Sequence, residues 1–169
     1  MLFDPFYRYL IMNIRKATKF DFSAIENIYN QTKLDELQFE DKDFQLLPIR
    51  QDNKRLTGLL ESEIYLFEDK VDNTKNICGF GAVYHSKENK ESEIRILQVH
   101  PFHRGKGIGT HLLEFLLSHP NSFENISLHV VHTNHPAKSL YKKFGFKIID
   151  TFLTDYNQQE VYADKMTRY

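Results

Sequence analysis

The run Arg104-Gly105-Lys106-Gly107-Ile108-Gly109-Thr110 sets two cations and three glycines where an apolar stripe of helical spacing begins. A Gly-rich loop that opens a helix offers backbone N–H groups with no intrahelical partner, at the positive end of the helix dipole. Such a loop suits a diphosphate. A P-loop would need a second glycine followed by Lys and Ser or Thr. Here Lys106 lies between glycines and Thr110 follows Gly109, so that pattern fails. A dinucleotide fingerprint starting at Gly105 would put its third glycine on Thr110. Glu124, the acid at about the right distance, precedes a strand instead of ending one. Taken alone, the loop reads equally well as a tight turn whose glycines only permit positive φ.

The elements that must position this loop follow from periodicity. A strand over 93–99 carries Ile94, Ile96, Leu97 and Val99 and leads into the loop through Pro101. Behind the loop, Ile108, Leu112, Leu113, Leu116 and Leu117 recur at helical spacing. Further strands are predicted at 13–17, 64–68, 77–85 and 126–131, with a closing antiparallel pair at 146–153 and 160–166. Helices are predicted after Asp21 or Ser23, with Phe22, Ile25, Ile28 and Tyr29 on one side, at 51–61, and at 134–144, where Gly145 ends the segment. Stretches 69–76 and 86–90 read as polar turns. Stretch 35–44 reads as an acidic connection whose Leu37, Phe39 and Phe44 pack onto something. No repeat or linker divides the chain. The expectation is a single α+β domain over 12–169, with 1–11 as a dispensable N-terminal extension and Met12 as an alternative start.

Two motifs together point further. Arg104-x-x-Gly107-x-Gly109 behind Val99-x-Pro101, followed by Asn134-x-x-Ala137-x-x-Leu140-Tyr141-x-x-x-Gly145-Phe146, resembles the acyl-CoA signatures of the GNAT-type (GCN5-related) N-acetyltransferases, in their order and at their distance. The resemblance covers about 93–146. It implies a mixed, mostly antiparallel sheet of six to seven strands flanked by about four helices and splayed at the central strands. It implies acetyl-CoA as acyl donor, with its diphosphate on the N–H groups of Arg104, Gly105, Lys106, Gly107, Ile108, Gly109 and Thr110. Leu97, Gln98 and Val99 would bulge, pair with the pantetheine arm and supply the oxyanion donor. Tyr141 would be the acid that meets the thiol. Asn134 would touch the pantetheine amides or merely cap its helix.

Acetyl transfer to an amine requires the amine to lose a proton, the oxyanion to find a donor and the thiolate to receive a proton. Glu93 matches the position of a catalytic glutamate in some histone-type relatives; it reads equally as an exposed acid paired with Arg95. His129 is a second candidate base, and water a third. Ribosomal-protein relatives carry a glutamate five residues before the Asn, where this chain has His129, so it departs from that branch. The acceptor site of the family is shaped by the first two helices, their connection and the late hairpin. Asp35, Glu36, Glu40, Asp41, Asp43 and Asp155 there suggest a cationic amine.

Composition narrows the alternatives. A net charge of −1 argues against a nucleic-acid binder that relies on a broad basic field. The single cysteine, Cys78, excludes an internal disulfide, fits a reducing, cytoplasmic setting, and reads as a small buried hydrophobe. No apolar run is long enough for a membrane span. His129, His132 and His135 recur every third residue, but 129 and 132 point to opposite faces of a strand and no acid lies near in sequence, so no metal site is expected. The expectation is an acetyl-CoA-dependent N-acetyltransferase with direct transfer in a ternary complex, able to form a homodimer. A non-catalytic CoA-binding sensor or regulatory module is the rival from another class, and a nucleotide-binding protein the next.

Overall fold

The computed structural model describes residues 13–71, 74–119 and 121–169; the expectations for 1–11 and Met12 lie outside them. Among the described residues, seven strands form one sheet: β1 (Ile14–Lys16), β2 (Glu63–Val71), β3 (Thr74–Ser86), β4 (Glu91–Val99), β5 (Asn125–Val131), β6 (Lys147–Tyr156) and β7 (Gln159–Arg168). Their spatial order is β1-β2-β3-β4-β5-β7-β6, and every neighbouring pair is antiparallel except β4–β5. Four helices cover it: α1 (Phe22–Thr32), α2 (Asn53–Leu60), α3 (Ile108–Ser118) and α4 (His135–Lys143). The expected mixed α+β sheet is present, and no described helix is long and apolar enough to cross a membrane.

Alternation along the strands builds two layers. Ile94, Ile126, Leu128, Val130 and Met166 face α3 and α4, packing with Leu113, Leu116, Leu140 and Phe144. On the opposite face Leu66, Phe80 and Ala82 meet Ile25, Ile28 and Tyr29 of α1 and Leu59 of α2. Fully burying each such side chain contributes about 1.5–3 kcal/mol, so both helix layers are held firmly against the strands between them.

Two connections differ from expectation. Pairing of β2 with β3 runs out to Val71 opposite Thr74, so most of the polar stretch 69–76 is strand and not turn. Thr74, Lys75 and Asn76 are exposed while the ladder satisfies the backbone, which composition alone does not reveal. The acidic connection begins with a 3-10 turn, Lys33–Leu37, and then covers Tyr156 and Val161 with Leu34, Leu37, Phe44 and Leu47. Phe39 does not join that cluster; it is 49% exposed, with its ring 6.3 Å from that of His135.

Candidate active site

Parallel pairing of β4 with β5 runs from Glu91 opposite Asn125 to Ile94 opposite Leu128, and there it stops. Beyond that point β4 stays on β3 and β5 stays on β7, so the two strands diverge. The fork between them is edged by the backbone of 95–99 and 129–131. An open strand edge presents N–H and C=O groups in register, to which an extended amide chain can add.

The bulge lies at this fork. Ala82 faces Ile96 while Val83 faces Ile94, leaving Arg95 as the extra residue. Alternation turns over there: Ile94 faces the α3 side before it, Leu97 and Val99 after it. The bulge implied at Leu97, Gln98 and Val99 is therefore earlier than expected. It falls where β5 departs and β4 is free to twist.

Past Val99, Pro101–His103 makes one 3-10 turn, and His100 N–H donates to the Cys78 carbonyl at 2.7 Å. Gly105 and Gly107 then take φ of 76° and 80°, a region other residues adopt at a cost. Gly107 caps α3 with no side-chain hydrogen bond, so the N–H groups of Ile108, Gly109 and Thr110 open the helix without that partner. These donors, with Arg104 and Lys106 beside them, fit a diphosphate. The Arg104 guanidinium is engaged by Asp35 of the acidic connection, Nη2 to Oδ2 2.6 Å.

The second motif proves to be a set of helix-end devices. Asn134 Oδ1 accepts from the Ala137 N–H at 3.4 Å, and Pro136 stands in the first turn. At the other end Gly145 takes φ of 86°. Its N–H donates to Lys142 O at 3.0 Å and Phe146 N–H to Tyr141 O at 3.1 Å, the paired bonds of a Schellman ending. Phe146 packs edge-on to Tyr141, with centroids 5.8 Å apart. Tyr141 thus packs against the buried cluster that holds Ile94, Leu128 and Phe146, at the root of the fork. Burial raises its phenol pKa and the Glu36 carboxylate adds to that, so the hydroxyl stays protonated at neutral pH.

The two candidate bases fare differently. Glu93 lies inside the paired segment, 3.2 Å from Arg95 Nε. Arg95 also reaches Glu61 and the Gly58 carbonyl, each at 3.1 Å, and stacks on Tyr84, so it fastens β4 to the end of α2. His129 is the first β5 residue past the last β4–β5 pair and lies on the α1–α2 face, edge-on to Phe152 at 5.1 Å. Lost hydration against neighbouring protein lowers its pKa below 6.5, with Glu93 pulling the other way; the ring edge remains open to solvent. His132 and His135 lie elsewhere. His132 Nδ1 bonds Asp164 of β7 at 2.8 Å, an acid its sequence neighbourhood does not disclose.

Sequence reasoning missed the cluster on the acceptor side. Lys33 pairs with Glu36, Arg55 with Asp52 at 2.9 Å, and both cations lie about 5 Å from the Tyr156 ring. Tyr29 OH, next to this group on α1, is buried with no hydrogen-bond partner. Each ion pair is local, but the contacts with Tyr156 join positions far apart in the chain, so no local spacing announces the cluster. A cavity of about 500 Å³ lined by Phe39, Glu40, Asp41, Leu153, Glu160 and Tyr162 lies on the α4 side of the last hairpin, beside the fork and not within it.

The acetyltransferase (GNAT) family model matches residues 21–146, a span that holds the fork, the Gly-rich loop and the whole of α4. The chain belongs to the GNAT acetyltransferase family. The expectation of an acyl-CoA donor agrees with that membership. Among curated relatives, N-alpha-acetyltransferase 50 of Danio rerio is 38% identical over 81 residues, covering 46% of this chain and 48% of that protein. The chain spans about half or less of the length of the curated relatives it matches. YncA of Salmonella typhimurium, solved with its cofactor acetyl-CoA, superposes with a TM-score of 0.66 at 20% identity, over 91% of each chain. Spermidine N-acetyltransferase of Vibrio cholerae, solved with CoA and spermine, gives 0.64 at 20% identity, over 91% of this chain and 92% of that one. At such identities the structural likeness speaks for the GNAT fold.

Proposed function

We propose that the protein moves the acetyl group of acetyl-CoA to a primary amine by direct transfer in a ternary complex. One observation carries this reading: β4–β5 pairing ends at Ile94 and Leu128, so the open edge of 95–99, His129 and the root of Tyr141 border one fork behind the Gly-rich loop. An alkylammonium with pKa about 10 has no lone pair until it loses a proton. His129, held neutral, takes that proton directly or through water, and Glu93 stabilises the imidazolium that results. Glu93 is the positioning partner in this scheme because Arg95 occupies its carboxylate. Backbone N–H groups along Leu97, Gln98 and Val99 receive the oxyanion, and Tyr141 donates to the departing sulfur. Asn134, whose Oδ1 caps α4, has its amide NH2 to offer the pantetheine.

The acceptor we infer is a cationic amine. Support comes from Glu36, the carboxylate that acts on Tyr141, and from the same fold in an enzyme that holds spermine. Part of the acidic field is already used, Asp35 by Arg104, Glu36 by Lys33 and Glu40 by Thr133. An arriving ammonium would therefore compete with Lys33. A cytoplasmic location and a homodimer belong to the same proposal, the latter checked by light scattering.

The test is thiol release from acetyl-CoA across polyamines, aminoglycosides, amino acids and peptide N-termini. Turnover on at least one class is expected, reduced about 10²–10⁴-fold in Tyr141→Phe and in His129→Gln. Tight acetyl-CoA binding with no turnover on any class would make the protein a CoA-binding module instead.

A further inference from the structure

At the far end of α3 from the Gly-rich loop, three side chains from three elements converge. Glu63 opens β2, His85 stands one residue from the end of β3, and His119 follows α3. One ligand atom from each lies within 4.8 Å of the other two. His85 Nε2 is buried with no hydrogen-bond partner, 3.7 Å from a Glu63 carboxylate oxygen. Its other nitrogen is fixed 2.8 Å from Ser92 Oγ, which accepts from the Phe123 N–H at 2.9 Å. The ring is therefore oriented from behind with its free nitrogen aimed into the cluster, as second-layer hydrogen bonds orient ligating histidines. The Tyr65 hydroxyl lies 2.8 Å from Glu63 Oε2 and 2.8 Å from His119 Nε2. The cluster also sits at the carboxyl end of α3, where the helix dipole favours a cation.

We propose that Glu63, His85 and His119 bind a divalent transition-metal ion of the zinc class. Two imidazole nitrogens and one carboxylate make a borderline donor set that suits Zn²⁺, and three protein ligands leave a fourth position for water or the Tyr65 oxygen. Binding draws the three donors inward to metal distances of about 2.0–2.2 Å. His119 Nδ1, which accepts from the Asn121 N–H at 3.2 Å, gives up that long contact as Nε2 turns its lone pair to the ion. Lys16, 3.9 Å from the second Glu63 oxygen, is the resident cation that the metal outcompetes. The ion ties β2 and β3 to the end of the helix whose other end forms the diphosphate loop. It supports the fold, takes no part in acyl transfer, and does not depend on the amine reading above.

The full chain, stripped with EDTA, is titrated with Zn²⁺ and with Co²⁺ as a spectroscopic probe. One ion per chain is expected, with tetrahedral Co²⁺ visible absorption and a Tm rise of about 5 °C or more at hundredfold excess over Kd. His85→Gln should raise the Zn²⁺ Kd at least about tenfold, and Ser92→Ala about tenfold by freeing the ring. Acetyl-CoA affinity in both variants reports that the fold is intact. Absence of saturable binding, or binding of equal strength in wild type, His85→Gln and Ser92→Ala, overturns the site. Should His85→Gln not fold, the wild-type Co²⁺ spectrum and Ser92→Ala decide the question. Loss of acyl transfer on stripping, restored by Zn²⁺, would overturn the purely supporting role.

Discussion

Replacing Lys138 by Met tests how the helix that carries Tyr141 is held. Lys138 is 7% exposed; its ammonium lies 2.6 Å from Asp164 Oδ2 and donates to the His132 carbonyl at 2.8 Å. Asp164 is fully buried, and its other oxygen accepts from Thr151 Oγ1 at 2.7 Å and from His132 Nδ1 at 2.8 Å. Burial pushes the Asp164 pKa up, but the bonds from Lys138, Thr151 and His132 outweigh it and bring the value from 3.8 to about 2. That difference corresponds to about 2.4 kcal/mol at 1.36 kcal/mol per pKa unit. Because the folded value is depressed, this stability is present above pH 4 and is lost as pH falls towards 2. Lys138→Met keeps the apolar stem and removes the cation, leaving a buried carboxylate with only the Thr151 and His132 donors. Breaking a buried pair from one side costs about 3–5 kcal/mol, or a Tm fall of about 6–20 °C at this chain length. Urea unfolding at pH 7 measures it. Lys138→Met with Asp164→Leu, which removes both charges, should recover most of the loss. Tyr141 lies three residues beyond Lys138, so kcat should fall in the single variant and partly return in the double. A loss under about 1 kcal/mol, or a double variant no more stable than the single, refutes the reasoning.

Three further outcomes are expected. The pH profile of kcat/KM should rise as His129 loses its proton, with an acid limb below pH 6.5 because its folded pKa is lowered; the same limb persisting in His129→Gln would assign the base elsewhere. Asp35→Asn should tighten acetyl-CoA binding about two- to fivefold in calorimetry, since Asp35 and the incoming diphosphate compete for Arg104 and an exposed pair contributes about 0.2–1 kcal/mol. Unchanged or weakened binding would show that the pair does not oppose the donor. Deleting residues 1–11 should leave Tm within about 2 °C and turnover intact, and a larger fall in either would show that the extension packs on the domain.

What could be read from the chain in advance divides along physical lines. Gly107 and Gly145 are legible because each answers a local backbone demand, a positive φ at one helix end. Asn134 and Phe146 are legible for the same reason: a cap and its closing contact lie within a turn of the residues they serve. The misplaced bulge is different: Ile94 and Ile96, two apart, read as one face, yet the extra residue Arg95 sends Ile96 to the α1–α2 layer, and that leaves no trace in the alternation. The length of the β4–β5 ladder had no such trace, because it depends on two segments meeting some thirty positions apart. The acidic connection shows the same limit in its charges. Asp35 looks like part of a free field in sequence, yet Arg104, 69 positions away, takes it; only the Lys33–Glu36 pair is local. The donor side is therefore built mostly from contacts within a few residues, and the acceptor side from contacts across the chain. That asymmetry is why the acyl donor could be inferred from spacing while the amine has to be approached through geometry and assay.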